Sequence, residues 1–166
     1  MTMDLIKRFL SKDAGHLAQF IKYGIAGGLA TLTQIIAFFA LGWRLLPCLT
    51  DNDIMVRLLG IVPAAAQDGG SRAVNAAIAT ALAFLLSNGV AYSLNVLFVF
   101  KGGKHHWLLE IGLFYAVSGV SMVIGTSLQT LLIARYGVMT TLAFGTNIAS
   151  ALLINYAMRK FFIFKG

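Results

Sequence analysis

The stretch AVNAAIATALAFLLSNGVAYSLNVLFVF, Ala73 to Phe100, runs for 28 residues without a charged side chain or a proline. A spanning helix needs about 20 apolar residues to cross a hydrocarbon core of roughly 30 Å. This run exceeds that length, so its last residues, Leu97 to Phe100, are expected to emerge among the lipid head groups. Three further uncharged runs flank it: Tyr23 to Trp43 with 21 residues, Ile111 to Ala134 with 24, and Tyr136 to Met158 with 23. Both prolines, Pro47 and Pro63, fall in the first connection, so nothing breaks the runs internally. The sequence therefore predicts an all-α membrane protein with four transmembrane helices. The expected spans are about 20–43, 73–98, 108–134 and 137–159, in a single domain covering 1–166.

Composition agrees. Hydrophobic residues make up 58% of the chain and charged residues only 11%, against about a quarter charged in a soluble domain. The net charge of +7 is scattered between apolar runs, not gathered into a basic stripe with stacking aromatics, which argues against nucleic acid as a partner. One cysteine, Cys48, excludes an intrachain disulfide and a cysteine-based metal cluster. The first run is too long for the apolar region of a secretory signal and has no small-residue cleavage site after it.

Orientation follows from lysine and arginine. Lys7, Arg8, Lys12, Lys22, Lys101, Lys104, Arg159, Lys160 and Lys165 lie on one side, nine in all; Arg44, Arg57, Arg72 and Arg135 lie on the other, four in all. Nine against four puts both termini in the cytoplasm, in a multi-pass protein of the inner membrane. Residues 44–72 then form an extracytoplasmic loop, with a short interfacial helix expected over Ile54 to Val62 and a turn at Gln67-Asp68-Gly69-Gly70. Arg135-Tyr136-Gly137 joins the last two spans as a tight hairpin. Ahead of the first span, Asp4 to Asp13 has the pattern of a helix lying on the inner membrane surface, or of a short solvated cap.

The halves repeat. Gly24 to Gln34 aligns with Gly119 to Gln129, with glycine, threonine and glutamine recurring at the same spacing. Tyr92 to Lys101 aligns with Tyr156 to Lys165 in the same way. The spans are thus expected as two hairpins related by a parallel repeat, an arrangement that sets a polar seam between similar halves in transporters. Shared membrane-helix vocabulary is the other explanation of the same pattern.

Phe20-Ile21-Lys22-Tyr23-Gly24-Ile25-Ala26-Gly27-Gly28, Tyr92-Ser93-Leu94-Asn95 with Phe98-Val99-Phe100, and Asn155-Tyr156-Ala157-Met158-Arg159-Lys160-Phe161-Phe162-Ile163-Phe164 carry a further signal. Together they resemble the GtrA-like family of small four-helix membrane proteins. Val96 and Leu97 depart from it, standing where the family usually carries a basic residue. The resemblance implies translocation of a polyprenyl-phosphate-linked sugar, such as one on undecaprenyl phosphate, for surface polysaccharide or cell-wall glycosylation. It also implies a glycosyltransferase of the same pathway as partner. The alternative role is a non-transporting membrane accessory that anchors that glycosyltransferase.

Nothing in the sequence has the pattern of a bond-making site, and no cofactor is implied, so the protein is not expected to be an enzyme. A small multidrug exporter needs a deep carboxylate, and Glu110 lies too near the surface to serve. For a phosphate-linked sugar lipid, the candidate substrate-binding residues are Lys22, Gln34, Asn88, Asn95, Glu110, Gln129, Asn147, Asn155, Arg159 and Lys160. Arg159 and Lys160 close the fourth span with a planar fork and a point charge for phosphate, or anchor it by snorkelling. Lys22 has the same two readings. Glu110 is a partner for Lys22 or Arg159, a proton-coupling group, or a helix cap. Asn88 and Asn95 are i and i+7, and Asn147 and Asn155 are i and i+8, so two amide stripes face a substrate or a neighbouring helix. Four helices offer little surface around a lipid head group, which allows a homo-oligomer in contact with membrane lipids.

Overall fold

The computed structural model describes residues 16–64, 67–99 and 106–158. Five α-helices occur in order: α1 (His16–Arg44), α2 (Ile54–Leu59), α3 (Gly69–Leu94), α4 (Trp107–Tyr136) and α5 (Thr140–Met158). A π-helical turn, Asn95–Val99, extends α3. Among the described residues there is no strand. Three helical stretches are long and apolar enough to cross a membrane: Ile21–Arg44, Gly69–Val99 and Trp107–Tyr136. The fourth, α5, has 19 residues, about 28 Å at 1.5 Å per residue.

α3 is the centre of the bundle. Its buried side chains Ala73, Ala76, Ala79, Thr80, Ala83, Phe84, Ser87, Asn88 and Ala91 recur at helical spacing. Most are small, so neighbouring backbones can approach closely. α1 and α4 both pack on α3, and α5 packs on α4. α1 and α5 meet through aromatic rings: Phe38 stacks on Phe144 with centroids 3.7 Å apart, and Phe39 meets Phe144 edge-on at 5.8 Å.

Burial is uneven along the bundle. In α4 the buried described positions are Ser121, Gly125, Gln129 and Ile133, one face of its C-terminal half. In α5 they are Thr140, Ala143, Phe144 and Asn147, all in its first turns. The bundle is thus tightest at the end carrying the first loop. Large apolar side chains point outward elsewhere, among them Ile25, Leu29, Leu32 and Ile36 on α1 and Val120, Val123, Ile124 and Leu131 on α4. Surfaces of this size and composition fit contact with lipid.

The loop end is held by polar contacts distant in sequence. Asp53 is fully buried; its Oδ1 accepts from Thr141 N at 2.7 Å, and its Oδ2 accepts from Thr50 N at 2.8 Å and Thr50 Oγ1 at 3.0 Å. A carboxylate from the loop thus caps the start of α5, where unpaired N–H groups favour an anion. Thr140 Oγ1 donates to the Cys48 carbonyl, Arg72 Nη2 to Val138 O at 3.1 Å, and Asn75 Nδ2 to Pro47 O at 2.9 Å. Gly137, at φ 62°, ends α4 in the left-handed conformation and makes the hairpin to α5 tight.

Two local readings change. The expected turn at Gln67 to Gly70 is a helix start, because Asp68 Oδ1 accepts from Gly70 N and Ser71 N and so caps α3. The short loop helix stops at Leu59, where Gly60 at φ 61° closes it. Asp4 to Asp13 lies outside the described residues.

α4 and α5 approach closely at Gly125. A Cβ there would sit 3.1 Å from both Asn147 Cγ and Asn147 O. Gly125→Ala is expected to lower stability by about 1–3 kcal/mol, the usual cost of overpacking. Gly119→Ala, with nothing within 4 Å of its added Cβ, is expected to be neutral. Unfolding of both variants in detergent checks the contrast.

Candidate functional site

Along α3, Thr80, Ser87, Asn88 and Asn95 face the interior. Their spacings of seven and eight residues bring them back to one side of the helix, since two turns take about 7.2 residues. From this side α3 reaches both flanking helices. Thr80 Oγ1 lies 3.0 Å from Gln129 Oε1 on α4, and Ser87 Oγ lies 3.5 Å from Gln34 Oε1 on α1. Gln34 and Gln129 are the glutamines matched by the sequence repeat, and both turn to a hydroxyl of the central helix.

The Thr80–Gln129 pair is fully buried, yet it is incompletely satisfied. Thr80 Oγ1 also lies 2.8 Å from Ala76 O, and a hydroxyl has one proton to give. With that proton on Ala76 O, the amide is better turned over to donate from Nε2 to the hydroxyl. In the orientation recorded, Nε2 has no partner; turned over, the oxygen has none. Either way one polar atom of a side chain with no solvent exposure is left unpaired. Asn95 repeats the pattern: Nδ2 donates to Ala91 O at 2.9 Å, while Oδ1 is buried without a partner. It stands at the first residue of the π-helical turn, and such turns are frequent at functional sites.

Asn147, 2% exposed, donates from Nδ2 to Thr126 Oγ1 at 3.2 Å. Asn88 is buried at 8%. Tyr115 on α4 donates to Leu85 O at 2.7 Å, tying α4 to α3 one turn from Asn88. Lys22, near the start of α1, is buried, at 5% exposure, and engaged with another group. The structure therefore buries Lys22, Asn88, Asn95, Gln129 and Asn147 and half-buries Gln34, on α1, α3 with its π-helical turn, α4 and α5. The side chains of Glu110 and Asn155 lie outside the described residues, as do Arg159 and Lys160 altogether.

The hydroxyls of Thr80, Ser87 and Thr126 escaped the reading of the amides alone. Their signal was present: Thr80 and Ser87 are i and i+7 on the helix that carries Asn88 and Asn95. Asn75 belongs elsewhere, to the loop. So does Cys48, whose thiol is pushed up to about 12 by burial first and by the nearby Asp53 charge second.

What this interior offers chemically is hydrogen bonding. Among the described residues no cluster of histidine, cysteine or carboxylate is arranged to hold a metal. The family model described as GtrA/DPMS, transmembrane domain, matches residues 22–164. No curated protein and no solved structure matches the chain.

Proposed function

The chain belongs to the GtrA/DPMS transmembrane-domain family, and on that footing we propose that it translocates a polyprenyl-phosphate-linked monosaccharide across the cytoplasmic membrane. The observation that carries the reading is the set of buried amides and hydroxyls inside an otherwise apolar bundle, two of which hold unpaired polar atoms. Leaving such groups unpaired costs about 1–3 kcal/mol each, so a partner that bonds them is favoured. A hydroxyl-rich head group both donates and accepts, and so would complete them.

In this reading α1, α3, α4 and α5 are four spans, both termini are cytoplasmic, and the loop between α1 and α3 faces outward. Lys22, Arg159 and Lys160 receive the phosphate at the inner face, with Glu110 as their carboxylate counterpart. Gln34, Asn88, Asn95, Gln129, Asn147 and Asn155 bond the sugar as it passes, while the prenyl tail stays in lipid. The protein moves its substrate and breaks no bond. A glycosyltransferase loads the carrier inside and another uses the sugar outside. Several copies together would enclose the head group better than one.

The experiment is glycan display in cells carrying Asn88→Leu with Asn95→Leu. Loss of two neutral hydrogen bonds is expected to slow delivery about three- to tenfold, with protein level and glycosyltransferase co-purification unchanged. Undiminished display by this variant, with display lost when the cytoplasmic surface is altered, would instead mark the protein as an anchor for the enzyme.

A further inference from the structure

At the loop end, away from the interior amides, an open cavity of about 550 Å3 is lined by Trp43, Arg44 and Gly60 to Ala64. That volume is within the range of small-molecule sites, about 300–1,000 Å3. Its walls are fixed by backbone. Trp43 Nε1 donates to Val62 O at 2.9 Å, which sets the indole plane. The Arg44 guanidinium lies 4.3 Å from the centroid of that ring. Gly60, held at φ 61°, turns the chain so that Ile61 and Val62 come back against α1.

Arg44 stands at the C-terminus of α1, an end that ordinarily repels anions. Here two of the four terminal carbonyls are occupied: Leu41 O accepts from Leu45 N and Leu46 N, and Gly42 O accepts from Cys48 N. Arg44 is exposed, and a guanidinium held over an indole keeps N–H donors for a second partner. Val62 in the lining, Leu45 next to Arg44 and Leu58 two residues before Gly60 are 73–82% exposed. Aliphatic side chains this open beside a tryptophan and an arginine belong to the layer where head groups meet acyl chains.

We propose that this cavity is a binding site for the phosphate of a membrane lipid head group. Arg44 supplies the paired N–H donors, Trp43 holds that guanidinium in plane, and the lipid chains lie against Leu45, Leu58 and Val62. The site goes beyond the translocation reading and does not depend on it, because none of its lining residues is among the interior amides. If a phosphate-linked sugar does cross, this is a place on the loop side where its phosphate can be received.

The chain has two tryptophans, so Trp107→Phe in the full-length protein leaves Trp43 as the only indole. Trp107 is 59% exposed, and the change is expected to leave the fold intact; the wild-type protein, with Trp107 as a constant background, is measured beside it. In nanodiscs of a phosphate-free glycosyl diacylglycerol, short-chain phosphatidic acid is titrated against Trp43 emission. The expected result is a saturable change, shifted about tenfold to weaker binding by Arg44→Gln and by less in Arg44→Lys. The diacylglycerol lacking phosphate is expected to give no saturation, and inorganic phosphate is expected to compete only weakly. Equal titration of Arg44→Gln and its parent would overturn the site. So would saturation by the phosphate-free lipid, and inorganic phosphate acting at the same concentration as the lipid would show that no lipid is recognised.

Discussion

Asp53→Ala is expected to release the first loop from the start of α5 and to lower stability by about 3 kcal/mol, since hydrogen bonds to a charged group contribute roughly 1.5–3 kcal/mol each and lost caps about 1. The carboxylate is fully buried and accepts from two part-buried backbone N–H groups, Thr50 and Thr141, which lose that partner once it is gone. Asp53→Asn keeps one acceptor oxygen and should lose about half as much. A second readout separates release from general weakening. Cys48 is buried beside this contact, its thiol pushed up to about 12, so in the native protein it should resist iodoacetamide at pH 8. The raised value also gives a sign: the neutral thiol favours the fold, and this contribution falls as pH rises above the unfolded thiol's value, near 9. Asp53→Ala should make Cys48 reactive in detergent well below the unfolding temperature. Unchanged protection, with a stability loss under about 0.5 kcal/mol, would mean that the loop is held by its apolar contacts alone.

Gln129→Leu separates fold from function by sign. Leucine has nearly the volume of glutamine, and such swaps in a core usually cost under about 1.5 kcal/mol. Here the swap also removes a buried polar atom without a partner, worth about 1–3 kcal/mol. Thr80 keeps its bond to Ala76 O. Stability is therefore expected to hold or rise. Transport of the sugar lipid is expected to fall about tenfold, the effect of one desolvated hydrogen bond of about 1.4 kcal/mol. A stabilised variant with full transport would remove Gln129 from the path. A variant that loses both together would make it a packing residue.

The helices were legible because an uncharged run of twenty or more residues has few alternatives, and α3 and α4 extend beyond their runs only where capping residues take over. Asp68 shows the limit of reading turns from composition. Asp-Gly-Gly suggests a bend, but the carboxylate supplies the acceptor that starts a helix, and glycine is harmless in a first turn held that way. The loop contacts were beyond reach of the sequence. Asp53 and Thr141 are 88 positions apart, and nothing local to either signals the other.

The amides were found as amides, while their partners were not. Membrane helices bury hydroxyls readily because threonine and serine can return their proton to the preceding turn, as Thr80 and Ser87 both do. That makes them silent in a scan for polar groups. Lys22 was read as an anchor or a phosphate ligand at the inner mouth of the first helix, and its side chain is buried, at 5% exposure.

Vesicles carrying the folded protein and a fluorescent polyprenyl-phosphate hexose on one leaflet, with dithionite to quench the outer label, test the central claim most directly. Crossing faster than in protein-free vesicles, and slowed by Gln129→Leu, is the result predicted for a bundle whose unpaired amides await a sugar. Equal rates with and without the protein would contradict it.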